Sequence, residues 1–136
     1  MASKSTEFSR GALATKTGVN LETVRYYESI GLMPDPGRSA AGHRIYRSSH
    51  LKRLTFIRRS RELGFTLQSI RELLELVDGG NYTCAQVRDR TRSQLDDVTS
   101  KIDDLRKIQR TLEAMAAKCD GGSVPECAVV DALYTP

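Results

Sequence analysis

The chain of 136 residues has no tryptophan, and aromatic side chains make up 6% of it. That shortage argues against a β-sandwich and suits helices with narrow apolar stripes. No apolar run approaches the ~20 residues that cross a bilayer, and the opening Met1-Ala2-Ser3-Lys4-Ser5 lacks the apolar core of an export signal. A cytoplasmic protein without membrane contact is therefore expected. Cysteine is scarce and odd in number, at three. Without an export signal this disfavours a disulfide framework and favours reduced thiols serving metal or redox chemistry. Histidine is scarcer still: His43 and His50 both lie in the first half, so no imidazole stands downstream to act as base for a thiol. No Gly-rich dinucleotide loop occurs either. A small binding module, not an enzyme, is the expectation.

The three thiols are arranged informatively. Cys84 opens a long segment in which Leu95, Val98, Ile102, Leu105, Ile108, Leu112, Met115 and Cys119 recur at steps of three and four, the pattern of a coiled-coil seam. Cys119 closes that segment, and Cys127 follows a short Gly-containing loop. At ~1.5 Å rise per residue Cys84 and Cys119 are roughly 50 Å apart in one helix and cannot meet within one copy. Two such helices paired antiparallel would bring Cys84 of one subunit beside Cys119 and Cys127 of its partner. So long a single-striped helix cannot bury its stripe on the little chain that remains, which implies a homodimer.

Charge divides the chain. Residues 1–80 carry 13 Lys/Arg against 8 Asp/Glu, a surplus of +5, whereas residues 81–136 carry 8 against 9, or −1. The surplus concentrates in Arg44, Arg47, Lys52, Arg53, Arg58, Arg59 and Arg61, with no acidic residue among them. Such a cluster is either a solvated face or a surface for phosphates. Residues 9–17 predict a short helix ending at Gly18. Asn20 caps a second over Leu21–Ile30, and Gly31 ends it; together the two are the pattern of a helix-turn-helix. Leu32 to Arg38 reads as a loop because of Pro34 and Pro36. Gly42 to Arg47 alternates as a short β wing, with Arg44 and Tyr46 on one side and Ile45 on the other. Ser48 or Ser49 caps a third helix carrying Leu51, Leu54, Ile57 and Leu63, and Thr66 a fourth carrying Leu67, Ile70, Leu73, Leu74 and Val77. The long helix then spans about Tyr82 to Cys119.

Three stretches, Val24-Arg25-Tyr26-Tyr27-Glu28-Ser29-Ile30-Gly31-Leu32, Gly42-His43-Arg44-Ile45-Tyr46 and Leu63-Gly64-Phe65-Thr66-Leu67, resemble in this order the signature of MerR-type winged-helix transcriptional regulators. With Cys84, Cys119 and the loop to Cys127 added, the chain is most similar to the mercury-resistance branch. The resemblance spans essentially the whole chain. It implies an all-α fold with a small β wing: a winged helix-turn-helix domain with connecting helices over 1–81, an antiparallel coiled-coil dimerisation helix over 82–119, and a metal-binding loop with a short C-terminal helix over 120–136. It further implies a homodimer on a palindrome in an over-long promoter spacer, where metal binding distorts the DNA for RNA polymerase. Thr23, Arg25, Tyr26 and Tyr27 would sit on or beside the recognition helix, with one of the two tyrosines turned to the core. Arg44 and Tyr46 would reach phosphate from the wing, joined by Arg38, Lys52 and Arg53, and His43 and His50 would lie on the wing or phosphate side.

Three thiolates without histidine suit a soft ion. Zinc prefers four tetrahedral ligands, whereas mercury accepts three sulfurs, which makes Hg(II) the first choice as effector. Cd(II) and Pb(II) stay open as alternatives, and an oxygen from Asp120 or Glu126 would readmit Zn(II). Copper-type sensors of this family typically lack a cysteine at the position of Cys84, which argues against Cu(I). With seven residues between its cysteines, the loop is shorter than in the best-known mercury sensors. A redox input, with Cys119 and Cys127 forming a disulfide, is the competing reading. A mercurial-processing thiol enzyme is the remote one.

Overall fold

The computed structural model describes residues 7–118 and 127–136. The chain forms two compact units, residues 1–87 and 88–136. The first opens with β1 (Glu7–Phe8) and the helices α1 (Arg10–Thr17) and α2 (Leu21–Ser29). It continues through β2 (Gly37–Arg38), β3 (Arg44–Arg47), α3 (Ser48–Glu62) and α4 (Leu67–Asp78). The helix α5 (Cys84–Ala117) and the short α6 (Ala128–Tyr134) complete the order. This is the mainly helical, winged architecture expected, with α5 carrying a coiled-coil seam.

Local chemistry sets most helix boundaries. The side chains of Ser9, Asn20 and Thr66 accept hydrogen bonds from the backbone N–H groups of Ala12, Thr23 and Ser69, satisfying donors that the first turn leaves free. Gly18 ends α1 with φ at +71°, where a side chain would be strained and where a Cβ would lie 2.9 Å from the Arg58 guanidinium. The start of α3 differs from expectation. Arg47, not a serine, is the N-cap residue, and its N–H donates to Nδ1 of His50 at 3.0 Å. Thr83 caps α5 reciprocally: its hydroxyl accepts from the Gln86 N–H at 3.2 Å, and its own N–H donates to the Gln86 side chain at 2.8 Å. That exchange makes Cys84 the first helical residue.

The wing is a three-stranded antiparallel sheet in the order β1-β3-β2. Phe8 faces Tyr46 and Gly37 faces Ile45. The strand at Glu7–Phe8 was not anticipated, since two residues show no alternation. Beneath the wing and helices, Leu13, Val24, Leu32, Met33, Tyr46, Leu54, Ile57 and Ile70 are fully buried. Leu32 and Met33 belong to the expected loop, yet both backbone N–H groups donate to the Tyr27 carbonyl, which turns their side chains under α2. Leu63, expected on the apolar face of α3, is exposed, and Phe65 takes the core position instead.

Candidate functional site

On α2 the core claims Val24 and Tyr27, and the opposite face presents Arg25 and Tyr26. Arg25 pairs with Glu22 one turn earlier at 3.4 Å, an exposed contact that a ligand phosphate or base can displace. Tyr26 is 52% exposed, and Thr23 is half-buried at the helix start. Tyr27 is therefore the tyrosine that packs inward. Its side chain is unavailable to a groove.

Tyr46, expected to reach phosphate from the wing, is fully buried. Its hydroxyl donates to Glu28 Oε1 and accepts from Arg10 Nε at 3.1 Å. Burial, then the hydrogen bond to Glu28, pushes this phenol above its ordinary value, so it remains a donor. Burial works against the Arg10 cation, but Tyr46 and Glu28 outweigh it and raise that group. His50 is likewise not on a phosphate side. It is buried, its ring stands edge-on to Tyr46 at 5.5 Å between centroids, and burial holds its imidazole below the ordinary value.

The basic cluster also divides on structural grounds. Arg53 makes a two-oxygen ion pair with Asp78 at 2.9 and 3.0 Å and donates to the Leu32 carbonyl at 2.8 Å. It ties α3 to α4 and to the loop after α2, in place of the phosphate contact expected of it. Arg58 donates to the Thr17 carbonyl at the end of α1 at 2.6 Å, and Arg61 donates to the Phe65 carbonyl at 2.9 Å. Arg71 does the same for Ile30 at the end of α2. Thr17 ends α1 and Ile30 closes α2, so Arg58 and Arg71 sit at the negative ends of those helix dipoles. Lys52 and His43 remain exposed. Arg38, also exposed, donates to the Gly42 carbonyl in the wing turn at 3.3 Å. Arg44 pairs with Glu28 at 2.6 Å and keeps about a third of its side chain exposed.

A crevice of about 430 Å³ between α2 and the wing is lined by Arg10, Arg25, Glu28, Ser29, Asp35 and Arg44. Arg10, Ser29 and Asp35 were not expected there. Their sequence neighbourhoods carry no signal of it, because they meet only when α1, α2 and the β2 approach converge.

Of the three thiols, Cys84 is free and exposed at the first position of α5, and Cys127 is free and half-buried just before α6. Cys119, Asp120 and Glu126 lie outside the described residues. Among the described residues no group of three or more His, Cys, Asp or Glu side chains could hold a metal ion within one copy. No described helix is long and apolar enough to cross a membrane.

Comparison with known proteins bears directly on these features. Residues 8–77 match the family described as MerR HTH family regulatory protein, and residues 51–115 match that described as MerR, DNA binding. The mercuric resistance operon regulatory protein of Bacillus cereus is 41% identical over 128 residues, covering 93% of this chain and 97% of that one. A transcription regulator from Ralstonia metallidurans, solved in complex with lead(II), superposes with a TM-score of 0.81 at 37% identity, covering 93% of this chain and 98% of the other. The dual-function regulator MerR from Bacillus megaterium, solved with mercury(II), gives a TM-score of 0.74 at 38% identity with the same coverage.

Proposed function

The chain belongs to the MerR family of helix-turn-helix regulators, and from that premise we propose that it is a homodimeric, Hg(II)-responsive switch at a promoter. The family and its relatives are transcriptional regulators, not enzymes, so the metal acts as a signal. Cys84 of one subunit, with Cys119 and Cys127 of the other, supplies three thiolates to the ion. Residues 82–119 form the antiparallel dimer contact and residues 120–136 the loop and helix that close the site. Soft sulfur donors without histidine match a soft ion of low coordination number. Ligation requires deprotonated thiols and therefore releases protons.

The observation that carries this reading is the state of α5. It is 34 residues long with no buried residue, and Leu95, Ile102, Leu105, Ile108 and Leu112 along its seam are 45–63% exposed. A free thiol stands in its first turn. A stripe of this length calls for a partner helix, and an antiparallel partner carries its own helix end, with Cys119 and Cys127, to Cys84.

At the promoter, α2 enters the major groove with Thr23, Arg25 and Tyr26, while Arg38, Arg44 and Lys52 meet phosphates. Metal shifts the protein toward a conformation that distorts the DNA for RNA polymerase, and differential affinity of the ion for the two conformations drives that shift. The test is a titration of reduced protein joined to transcription in vitro. Hg(II) is expected to give thiolate-to-metal charge-transfer absorption, to activate more strongly than Cd(II), Pb(II), Zn(II) or Cu(I), and to lose both effects in Cys84→Ser. A Cys84→Ser protein that responds like wild type overturns the three-thiolate site. Stronger activation by Pb(II), the ion held by the Ralstonia relative, moves the reading to that metal. Activation by an oxidant alone identifies a redox sensor.

A further inference from the structure

A buried polar cluster surrounds a carboxylate to which neither the thiols nor the base-reading face lays claim. Glu28 lies on the last turn of α2 with its side chain 7% exposed. Its Oε2 accepts from Arg10 Nη2 at 3.1 Å and from Arg44 Nη1 at 2.6 Å, and its Oε1 accepts from the Tyr46 hydroxyl. Arg10 begins α1 and Arg44 begins β3, so one carboxylate joins three elements. Val24 and Tyr27 already anchor α2 in the core. The cluster adds direction to that anchoring, because hydrogen bonds fix angles that apolar packing leaves loose.

Electrostatics makes the location informative. The crevice that Glu28 lines opens beside Arg25, on the face where phosphates would approach. A negative charge there opposes DNA binding, so its presence calls for an offsetting role. Base contacts from α2 and backbone contacts from the wing must be made at one fixed separation, since phosphate contacts set the register in which bases are read. The Glu28 cluster ties α2, which carries Arg25, to β3, which carries Arg44. We infer that Glu28 is a positioning residue for DNA reading: it locks α2 to β3 and aims the outer N–H groups of Arg44 at the phosphate bordering the groove. This rests on the DNA-binding reading above.

The sign of a charge-removing substitution separates this role from simple electrostatics. Glu28→Gln keeps the shape and removes a negative charge, so Coulomb forces alone would tighten binding to every duplex. Positioning predicts the opposite for a cognate site. The probes are a duplex enriched by the wild-type full-length chain from a randomised pool and a scrambled duplex of equal length. Glu28→Gln is expected to weaken the enriched duplex about tenfold or more, while the scrambled duplex is bound equally or more tightly. Tyr46→Phe, which keeps the buried ring, should weaken the enriched duplex several-fold. Combined with Glu28→Gln it should add little, as members of one network are not additive. A purely structural role would lower the melting temperature and leave the ratio of the two affinities unchanged, which overturns the inference. Unchanged or tighter binding of the enriched duplex by folded Glu28→Gln overturns it as well. If Glu28→Gln does not fold, Tyr46→Phe decides by the same ratio. If the wild-type chain enriches no duplex at all, the DNA-binding reading fails first and this inference with it.

Discussion

The two units of the chain are both helical and both patterned with apolar residues at steps of three and four, yet they handle that pattern differently. In residues 1–87 the stripes of α1, α2, α3 and α4 converge on a shared core that includes Leu13, Val24, Leu54 and Ile70. In α5 and α6 no residue is buried. An amphipathic pattern states that a stripe must be covered and does not state by which chain. The first unit covers its own; the second leaves its stripe exposed, and the proposed homodimer would cover it with another copy. Apolar groups in contact with water across some five heptad positions are what the proposed homodimer would relieve, at about 1.5–3 kcal/mol for each large side chain fully buried.

The largest test of this contrast is to charge the seam. Leu105→Lys with Leu112→Lys is expected to convert a dimer to a monomer by light-scattering mass, with the melting of the first unit little changed. A monomeric wild type would erase the contrast outright. Mixed dimers sharpen it. When one subunit carries Cys84→Ser and the other Cys127→Ser, a site shared across subunits retains one complete thiolate set, and Hg(II) charge-transfer absorption should return to about half that of wild type. A site within each subunit would stay silent.

Effects inside the first unit are smaller and graded. Arg53→Ala removes the ties to Asp78 and the Leu32 carbonyl and should cost about 1–3 kcal/mol in denaturant unfolding. Its neighbour Lys52→Ala should leave stability within about 0.5 kcal/mol and lower the salt slope of DNA binding by about one. Equal behaviour of the two would dissolve the distinction between structural and phosphate-facing cations. The smallest effect concerns His50, whose imidazole is held below its ordinary value in the folded state by burial. Between its folded and unfolded values the unfolded chain binds the extra proton. The contribution to stability is thus complete above about pH 6.5 and declines as pH falls, by at most about 1.4 kcal/mol per pH unit. His50→Gln, which can still accept from the Arg47 N–H, should flatten the difference between pH 7.5 and pH 5.5 in paired melts. Parallel pH profiles would remove His50 from this account.

The order of elements was legible in the chain because their ends are local events. Asn20, Thr66 and Gly18 act on amides within a turn of themselves, and the family signature runs through the same segments. The charge cluster from Arg44 to Arg61 was legible as a cluster and not as a set of roles. Whether an arginine faces phosphate or a carbonyl depends on which distant segment lies across from it: Thr17 for Arg58 and Leu32 for Arg53, 41 and 21 positions away. Tyr46 and Arg44 illustrate the same limit on one strand. Alternation assigned both to one side, and both do turn toward Glu28, but β1 and α1 cover only Tyr46.

By itself the sequence determined, to within a residue or two, where most helices begin and end, and that a long helix with a single apolar stripe starts near Cys84. These follow from backbone hydrogen bonding, a fixed rise per residue and the period of apolar side chains, all of which act within a few residues. Only the tertiary structure decided that Tyr27 turns inward while Tyr26 turns out, that Tyr46 and His50 are buried, and that Glu28 gathers Arg10, Arg44 and Tyr46. Burial and ion pairing are set by which distant segments meet, and that meeting is a property of the folded chain.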